Sequence, residues 1–239
     1  MSTPSSNTDA DEVAKFEALA SHWWDPQGAF KPLHDINPLR LAFVEGSRGL
    51  AGKQVIDVGC GGGILAESMA ARGATVTGID ASEAALETAR LHSKDSGQMV
   101  DYVSATAEQM ARERPGAFDV VTCMELLEHV PEPASVIAAC ARLARPGAEV
   151  ILSTINRNPK AYVLAIIGAE YLLGLLPRGT HDYAKFIRPS ELHGWARQVG
   201  LTLEELRGLS YNPLTRRYRL GGDVDVNYLA RLRAGGDIQ

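Results

Sequence analysis

Long apolar runs are missing from the 239-residue sequence. No window reaches the roughly 18 uninterrupted apolar residues of a membrane span, so none is expected. Cysteine is scarce: Cys60, Cys123 and Cys140 are odd in number and lack metal-ligand spacing, which argues against a disulfide framework or zinc site and for a reducing compartment. Aromatic residues make up 6%, leaving few platforms on which bases could stack. Basic charge is in deficit, with 24 Lys and Arg against 29 Asp and Glu, so no bulk positive surface awaits a phosphate backbone and no nucleic-acid partner is expected. The first eleven residues are polar and acidic, without the basic and apolar regions of a signal or transit peptide. What the chain does have, 45% hydrophobic and 22% charged residues, suits one globular domain with a sizeable core.

Residues 1–10 read as a disordered tail. Val13, Phe16, Leu19, Ala20 and Trp23 recur at helical spacing, predicting a helix from Asp11 to Trp24 that Pro26 ends. A second helix is expected to begin near Pro38. From Lys53 onward, short β-branched runs alternate with helical patterns. Strands are expected at Val55–Val58, Thr75–Asp80, Tyr102–Val103, Phe118–Cys123 and Glu149–Thr154, with Ser82 placed to cap the helix after the second. A turn is expected at Arg145–Gly147, a helix at Pro189–Val199, and two late strands near Leu201–Leu209 and Val224–Leu232 whose pairing is not readable. The alternation implies an α/β fold with a mostly parallel sheet covered by helices on both faces.

The turn after the first strand, Asp57-Val58-Gly59-Cys60-Gly61-Gly62-Gly63, stands where open α/β sheets bind ligands. Its glycines let a ligand approach the backbone closely, and the next helix offers unpaired N–H groups. Ile64 occupies the position of a dinucleotide fingerprint's third glycine, so the spacing is not that of a nicotinamide site. Asp80 ends the second strand, where a carboxylate can accept hydrogen bonds from both hydroxyls of a ribose.

The run Val55–Gly63 together with Asp80 resembles the first two motifs of the class I S-adenosylmethionine-dependent methyltransferases. More narrowly, Lys31-Pro32-Leu33-His34, Asn37-Pro38-Leu39-Arg40, Thr122–Val130, Gly179-Thr180-His181-Asp182 and Val224–Tyr228 resemble the ubiquinone-biosynthesis O-methyltransferases over nearly the whole chain outside the tail. This resemblance implies a Rossmann-like domain over residues 11–239, with a seven-stranded sheet including an antiparallel edge strand, an N-terminal helical cap at 11–50 and an apolar insertion at 157–188. It implies S-adenosylmethionine as cofactor, contacted by Gly59, Gly61, Asp57 and Asp80, with Arg40 and Met124 completing the site. Arg40 suits a carboxylate as a planar bidentate donor, and Met124 offers a flexible apolar wall. Many class I members carry an acidic residue after the third strand to bind adenine. Here the stretch is Ala105-Thr106-Ala107-Glu108, which leaves that role open between Thr106 and a backbone group.

A phenol, with a pKa of about 10, is a poor nucleophile until it sheds or shares its proton. Glu125, Glu128 and His129 follow the fourth strand at i, i+3 and i+4, so on a helical turn all three would share one face. Two readings compete. Either His129 is a general base oriented by a carboxylate, or the three hold a divalent ion that acidifies the acceptor, magnesium being what the eukaryotic members of the family suggest. Cys-Met-Glu-Leu after the fourth strand replaces the Asn/Asp-Pro-Pro-aromatic signature of amino-group methylases acting on nucleic acid.

Residues 161–176 read AYVLAIIGAEYLLGLL, apolar on nearly every side with Glu170 the only charge, flanked by Arg157, Lys160, Arg178, Lys185 and Arg188. That pattern suits an interfacial lid touching the inner membrane from the cytoplasm, with a core helix as the competing reading. The family resemblance implies methylation of ring hydroxyls on polyprenylated phenols and catechols, at both O-methylation steps of ubiquinone assembly, with other biosynthetic proteins as further partners. A methylase of a soluble metabolite and a noncatalytic docking module are the alternatives.

Overall fold

A computed structural model describes residues 7–46, 48–162, 183–212 and 214–235. Most of the apolar stretch 161–176, together with the Gly179–Asp182 motif, lies outside the described residues. Five parallel strands form one side of the sheet: β1 (Gln54–Val58), β2 (Thr75–Asp80), β3 (Val100–Ser104), β4 (Phe118–Met124) and β5 (Ala144–Ile155). Three antiparallel strands extend it beyond β5: β6 (Leu201–Asn212), β7 (Arg217–Gly221) and β8 (Asn227–Ala234). The order is β3-β2-β1-β4-β5-β8-β6-β7, so the chain departs from β1 in one direction and returns on its other side at β4. The crevice between the carboxyl ends of β1 and β4 is the switch point at which such sheets hold ligands.

Among the described residues the sheet thus has eight strands rather than the expected seven. The additional one, β7, is a short outer edge strand of sequence RYRLG: Arg217 and Arg219 are exposed while Tyr218 and Leu220 pack half-buried against the core, an alternation too short to stand out in the sequence. The two late strands that were expected do form, and β8 pairs with both β5 and β6.

Helices cover both faces because alternate strand residues point to opposite sides. Ile56, Val58, Val121 and Cys123 pack with Met110 of α5 (Ala107–Glu113), Ile137 and Leu143 of α6 (Pro133–Leu143) and Leu192 of α8 (Pro189–Gln198). Val55, Val76 and Val120 pack with Leu41 and Val44 of α2 (Lys31–Glu45), Leu65 and Met69 of α3 (Ile64–Ala70) and Leu86 of α4 (Glu83–Ser96). All three cysteines are buried free thiols. A short turn, α7 (Pro159–Ala161), follows β5. Among the described residues no helix is long and apolar enough to cross a membrane.

Local signals hold in several places. Ser82 Oγ accepts from the Ala85 N–H as the cap of α4. Phe118 pairs with Ala144 and Val120 with Glu149, so the chain between those pairs bulges at the expected Arg145–Gly147 turn, where Gly147 has a φ of +77°. At the N-terminus the outcome differs. The expected single helix is α1 (Ala10–Glu17) followed by a 3-10 turn at Ala20–His22. Residues 7–9, assigned to the tail, are engaged: Asn7 Nδ2 donates to Glu108 Oε1 at 2.8 Å, and Asp9 caps α1. α2 begins at Lys31 and runs through Pro38 rather than starting there. Pro38 forfeits one backbone hydrogen bond, which burial of Ile36, Leu41 and Val44 offsets, and Asn37 pins that turn by donating to Ser68 Oγ.

Candidate active site

The carboxyl ends of β1, β2 and β4 open into a cavity of about 910 Å³, at the upper end of the range for small-molecule sites. Gly59, Gly61, Asp57, Asp80, Arg40, Met124, Glu125, Glu128 and His129 all line it, so the fold brings every predicted site residue to one place.

The glycine turn is shaped by its neighbours. Gly61 has a φ of +52°, and a Cβ there or on Gly62 would overlap the indole of Trp23, which lies across the turn. Trp24 fastens the same turn by donating from its indole N–H to the Gly62 carbonyl at 2.8 Å. Asp80 locks the loop from the other side, its Oδ2 accepting from the Gly61 N–H at 2.9 Å and its Oδ1 from the Ser82 N–H at 2.8 Å. Two backbone donors thereby aim the carboxylate at the cavity, while burial raises its pKa above the ordinary value.

Asp57 lies deeper. Burial raises its pKa to about 6, opposed by the Thr122 hydroxyl, which donates to it at 2.6 Å, and by the charge of Arg40. Arg40 is 5% exposed, far from a solvated surface arginine. Among the described residues its Nη2 reaches the Leu33 carbonyl only at 3.5 Å, and its Nε is buried without an acceptor. No carboxylate lies within 4 Å of it among the described residues, although Glu125 and Asp57 are near enough to oppose the fall in its pKa that desolvation causes. A buried guanidinium with spare donors facing a cavity is built to receive an anionic group.

The acceptor side departs from the sequence reading. Glu125 has a φ of +54°, a left-handed conformation that costs a glutamate about 1–3 kcal/mol, and it breaks the chain direction after β4. Only a 3-10 turn, Leu127–His129, follows, so Glu125, Glu128 and His129 do not share one helical face. Glu125 is clamped to the sheet: its backbone N–H donates to Ser153 Oγ, and its carboxylate accepts from Ser153 Oγ at 2.7 Å and Asn227 Nδ2 at 3.0 Å. Glu128 turns inward and accepts from Thr154 Oγ1 at 2.8 Å; burial, then the charge of Glu125, raises its pKa to about 7. His129 turns the other way, with Nδ1 2.9 Å from Glu12 Oε2 on α1 and its ring edge-on to Phe16.

These orientations do not fit a magnesium site. The three side chains point to separate partners, and among the described residues no group of three His, Cys, Asp or Glu side chains converges as metal donors. The carboxylate on His129 is also not one of the two expected from the spacing, because Glu125 and Glu128 are bound to β5 and β8.

Four contributors escaped the sequence reading: Glu12, Trp23 as a cover for the glycine turn, Ser153, and Asn227 as the partner of Glu125. The Val224–Tyr228 motif joins the last strand to the active site. In the structure Asn227 reaches Glu125, and the Tyr228 hydroxyl donates to the Ile187 carbonyl. Thr106, one candidate for the adenine, is occupied as the cap of α5, its Oγ1 accepting from the Gln109 N–H.

A family model described as a methyltransferase domain matches residues 35–206. Among solved structures, magnesium protoporphyrin IX methyltransferase from Synechocystis, determined with bound SAH, superposes with a TM-score of 0.68 at 19% identity over 94% of both chains, a likeness of fold alone. Much nearer in sequence is the ubiquinone biosynthesis O-methyltransferase of Pseudomonas aeruginosa, 65% identical over 228 residues, 95% of this chain and 98% of that protein. Its counterpart from Thiobacillus denitrificans is also 65% identical, with the same coverage. Identity of that extent over nearly the whole of both chains means that the chain belongs to the ubiquinone biosynthesis O-methyltransferase family.

Proposed function

We propose that the chain methylates ring hydroxyls of polyprenylated phenol and catechol precursors of ubiquinone, at both O-methylation steps, using S-adenosylmethionine. The observation that carries the cofactor assignment is the pairing, across one cavity, of a buried under-bonded Arg40 with an Asp80 carboxylate already aimed by two backbone donors. Arg40 would pair with the methionine carboxylate and Asp80 would accept from the ribose hydroxyls, while Gly59, Gly61 and Met124 line the same cavity and the charge of Asp57 lies near Arg40. When bound, S-adenosylmethionine supplies an electrophilic methyl group on a sulfonium.

The chain's own residues must align and deprotonate the acceptor. His129, lining the same cavity, takes the hydroxyl proton as general base. Burial pulls its pKa down, but the hydrogen bond to Glu12 and the charges of Glu128, Glu12 and Glu125 outweigh that, so the imidazole is a stronger base than usual. Glu125 and Glu128 thus contribute through their charge. Phe16, Leu19 and Trp23 line the cavity from the N-terminal cap and help exclude water from the transfer.

A radiolabelled methyl-transfer assay on a short-prenyl catechol tests this reading with wild type, Asp80→Ala, Glu125→Ala and His129→Ala. Loss of a general base lowers kcat by about 10²–10⁴. Wild-type turnover by His129→Ala would remove His129 from the chemistry, and unchanged cofactor affinity in Asp80→Ala would remove the ribose contact. The apolar sequence 161–176, with its basic flanks, is the proposed contact with the cytoplasmic face of the inner membrane. Co-sedimentation of intact and 161–176-deleted protein with liposomes tests it, equal weak binding by both being the adverse result.

A further inference from the structure

Glu12 sits on α1, 117 residues from His129 in sequence, yet its Oε2 is 2.9 Å from His129 Nδ1, and both side chains are nearly buried, at 13% and 12% exposure. Three further contacts hold this geometry. Phe16, one turn along α1, packs edge-on to the imidazole with ring centroids 5.2 Å apart. Lys15 Nζ donates to the other oxygen, Glu12 Oε1, at 2.9 Å, and Lys185 Nζ lies 3.7 Å from that same oxygen while bonding Asp9 Oδ2 at 3.0 Å. The hydrogen bond to His129 and the one to Lys15 keep the Glu12 carboxyl ionised, with its pKa lowered to about 2 against the opposing effect of burial. An ionised carboxylate only accepts, so Nδ1 carries the proton and the basic lone pair belongs to Nε2.

We propose that Glu12 is a positioning residue for methyl transfer, which fixes the ring orientation and tautomer of His129 and makes the N-terminal helix part of the active site. The proposal rests on the reading of His129 as general base. Glu12 touches neither cofactor nor acceptor in this role; it acts through the imidazole, as an orienting carboxylate does wherever a histidine must present one chosen nitrogen.

The test is a double-mutant cycle in the full-length protein: wild type, Glu12→Gln, Glu12→Ala, His129→Asn and Glu12→Ala/His129→Asn, assayed on a short-prenyl catechol with cofactor affinity measured by calorimetry. Glu12→Ala should lower kcat by about tenfold to a hundredfold, the range for losing a partner that orients a functional histidine. Glu12→Gln, which keeps an acceptor oxygen without the charge, should fall between wild type and Glu12→Ala. Cofactor affinity should stay within about twofold, and the double variant should be no slower than His129→Asn alone. Wild-type kcat in Glu12→Ala alongside a crippled His129→Asn overturns the proposal while sparing the general base. Fully additive losses, or a loss confined to cofactor affinity, overturn it as well, since either means that Glu12 acts on the fold and not through His129. Wild-type turnover by His129→Asn would defeat the reading of His129 itself.

Discussion

Replacing Arg40 with methionine separates a residue that exists for the fold from one that exists for a ligand. Methionine matches the length of the arginine stem and suits an apolar wall, so the substitution removes mainly the guanidinium. Among the described residues that group is buried with its Nε unbonded and a long contact to the Leu33 carbonyl. Exchanging buried charge for a packed apolar side chain is commonly neutral or stabilising by about 1–4 kcal/mol, so the ligand-free variant should melt at the same temperature or higher, by roughly 2–4 °C per kcal/mol in a chain of this size. Cofactor binding should move in the opposite direction. Truncating one partner of a buried charge pair costs about 2–5 kcal/mol, which at 1.4 kcal/mol per decade weakens binding by about thirtyfold to about four-thousandfold. Thermal melts with and without S-adenosylhomocysteine, together with titration calorimetry, read both signs in one preparation. A variant that melts several degrees lower yet binds the cofactor normally would show that Arg40 serves packing, and the argument from its missing partners would fail.

Asp80→Asn retains the shape of the carboxylate but leaves one of the Gly61 and Ser82 N–H groups facing an amide donor. With a charged acceptor for the ribose also lost, at about 1.5–3 kcal/mol for a charge-assisted bond, cofactor affinity should drop roughly tenfold to a hundredfold by calorimetry; a change below twofold would contradict the assignment. Glu128→Gln should show a pH-dependent gain in stability. Its carboxyl has a pKa raised from 4.5 to about 7, chiefly by burial, so the folded state holds a proton that the unfolded chain releases, and the wild type loses stability as pH rises across that interval. The melting temperature of the variant relative to wild type should therefore climb between about pH 5 and pH 7.5 and then level. A difference independent of pH would refute the shift.

Where chemistry is written into neighbouring residues, the sequence was sufficient. The β-branched run into the glycine turn, the strand closing on Asp80 and the Ser82 cap all arise from strand alternation, turn chemistry and capping, which act over a few residues. They determined the parallel α/β architecture and the location of the crevice, with Gly59, Gly61 and Asp80 on its wall. The tertiary structure decided what those side chains face. The i, i+3, i+4 spacing of Glu125, Glu128 and His129 promised a shared face, but the left-handed backbone of Glu125 removed the helix on which that rule depends. Ser153, Thr154 and Asn227 claim the two carboxylates because β5 and β8 pair beside β4, and Glu12 claims the histidine because α1 folds back over the cavity. Such pairings join residues tens to more than a hundred positions apart and leave no periodicity to read. They exist only once sheet order and the docking of the N-terminal helix have brought the partners within hydrogen-bonding reach.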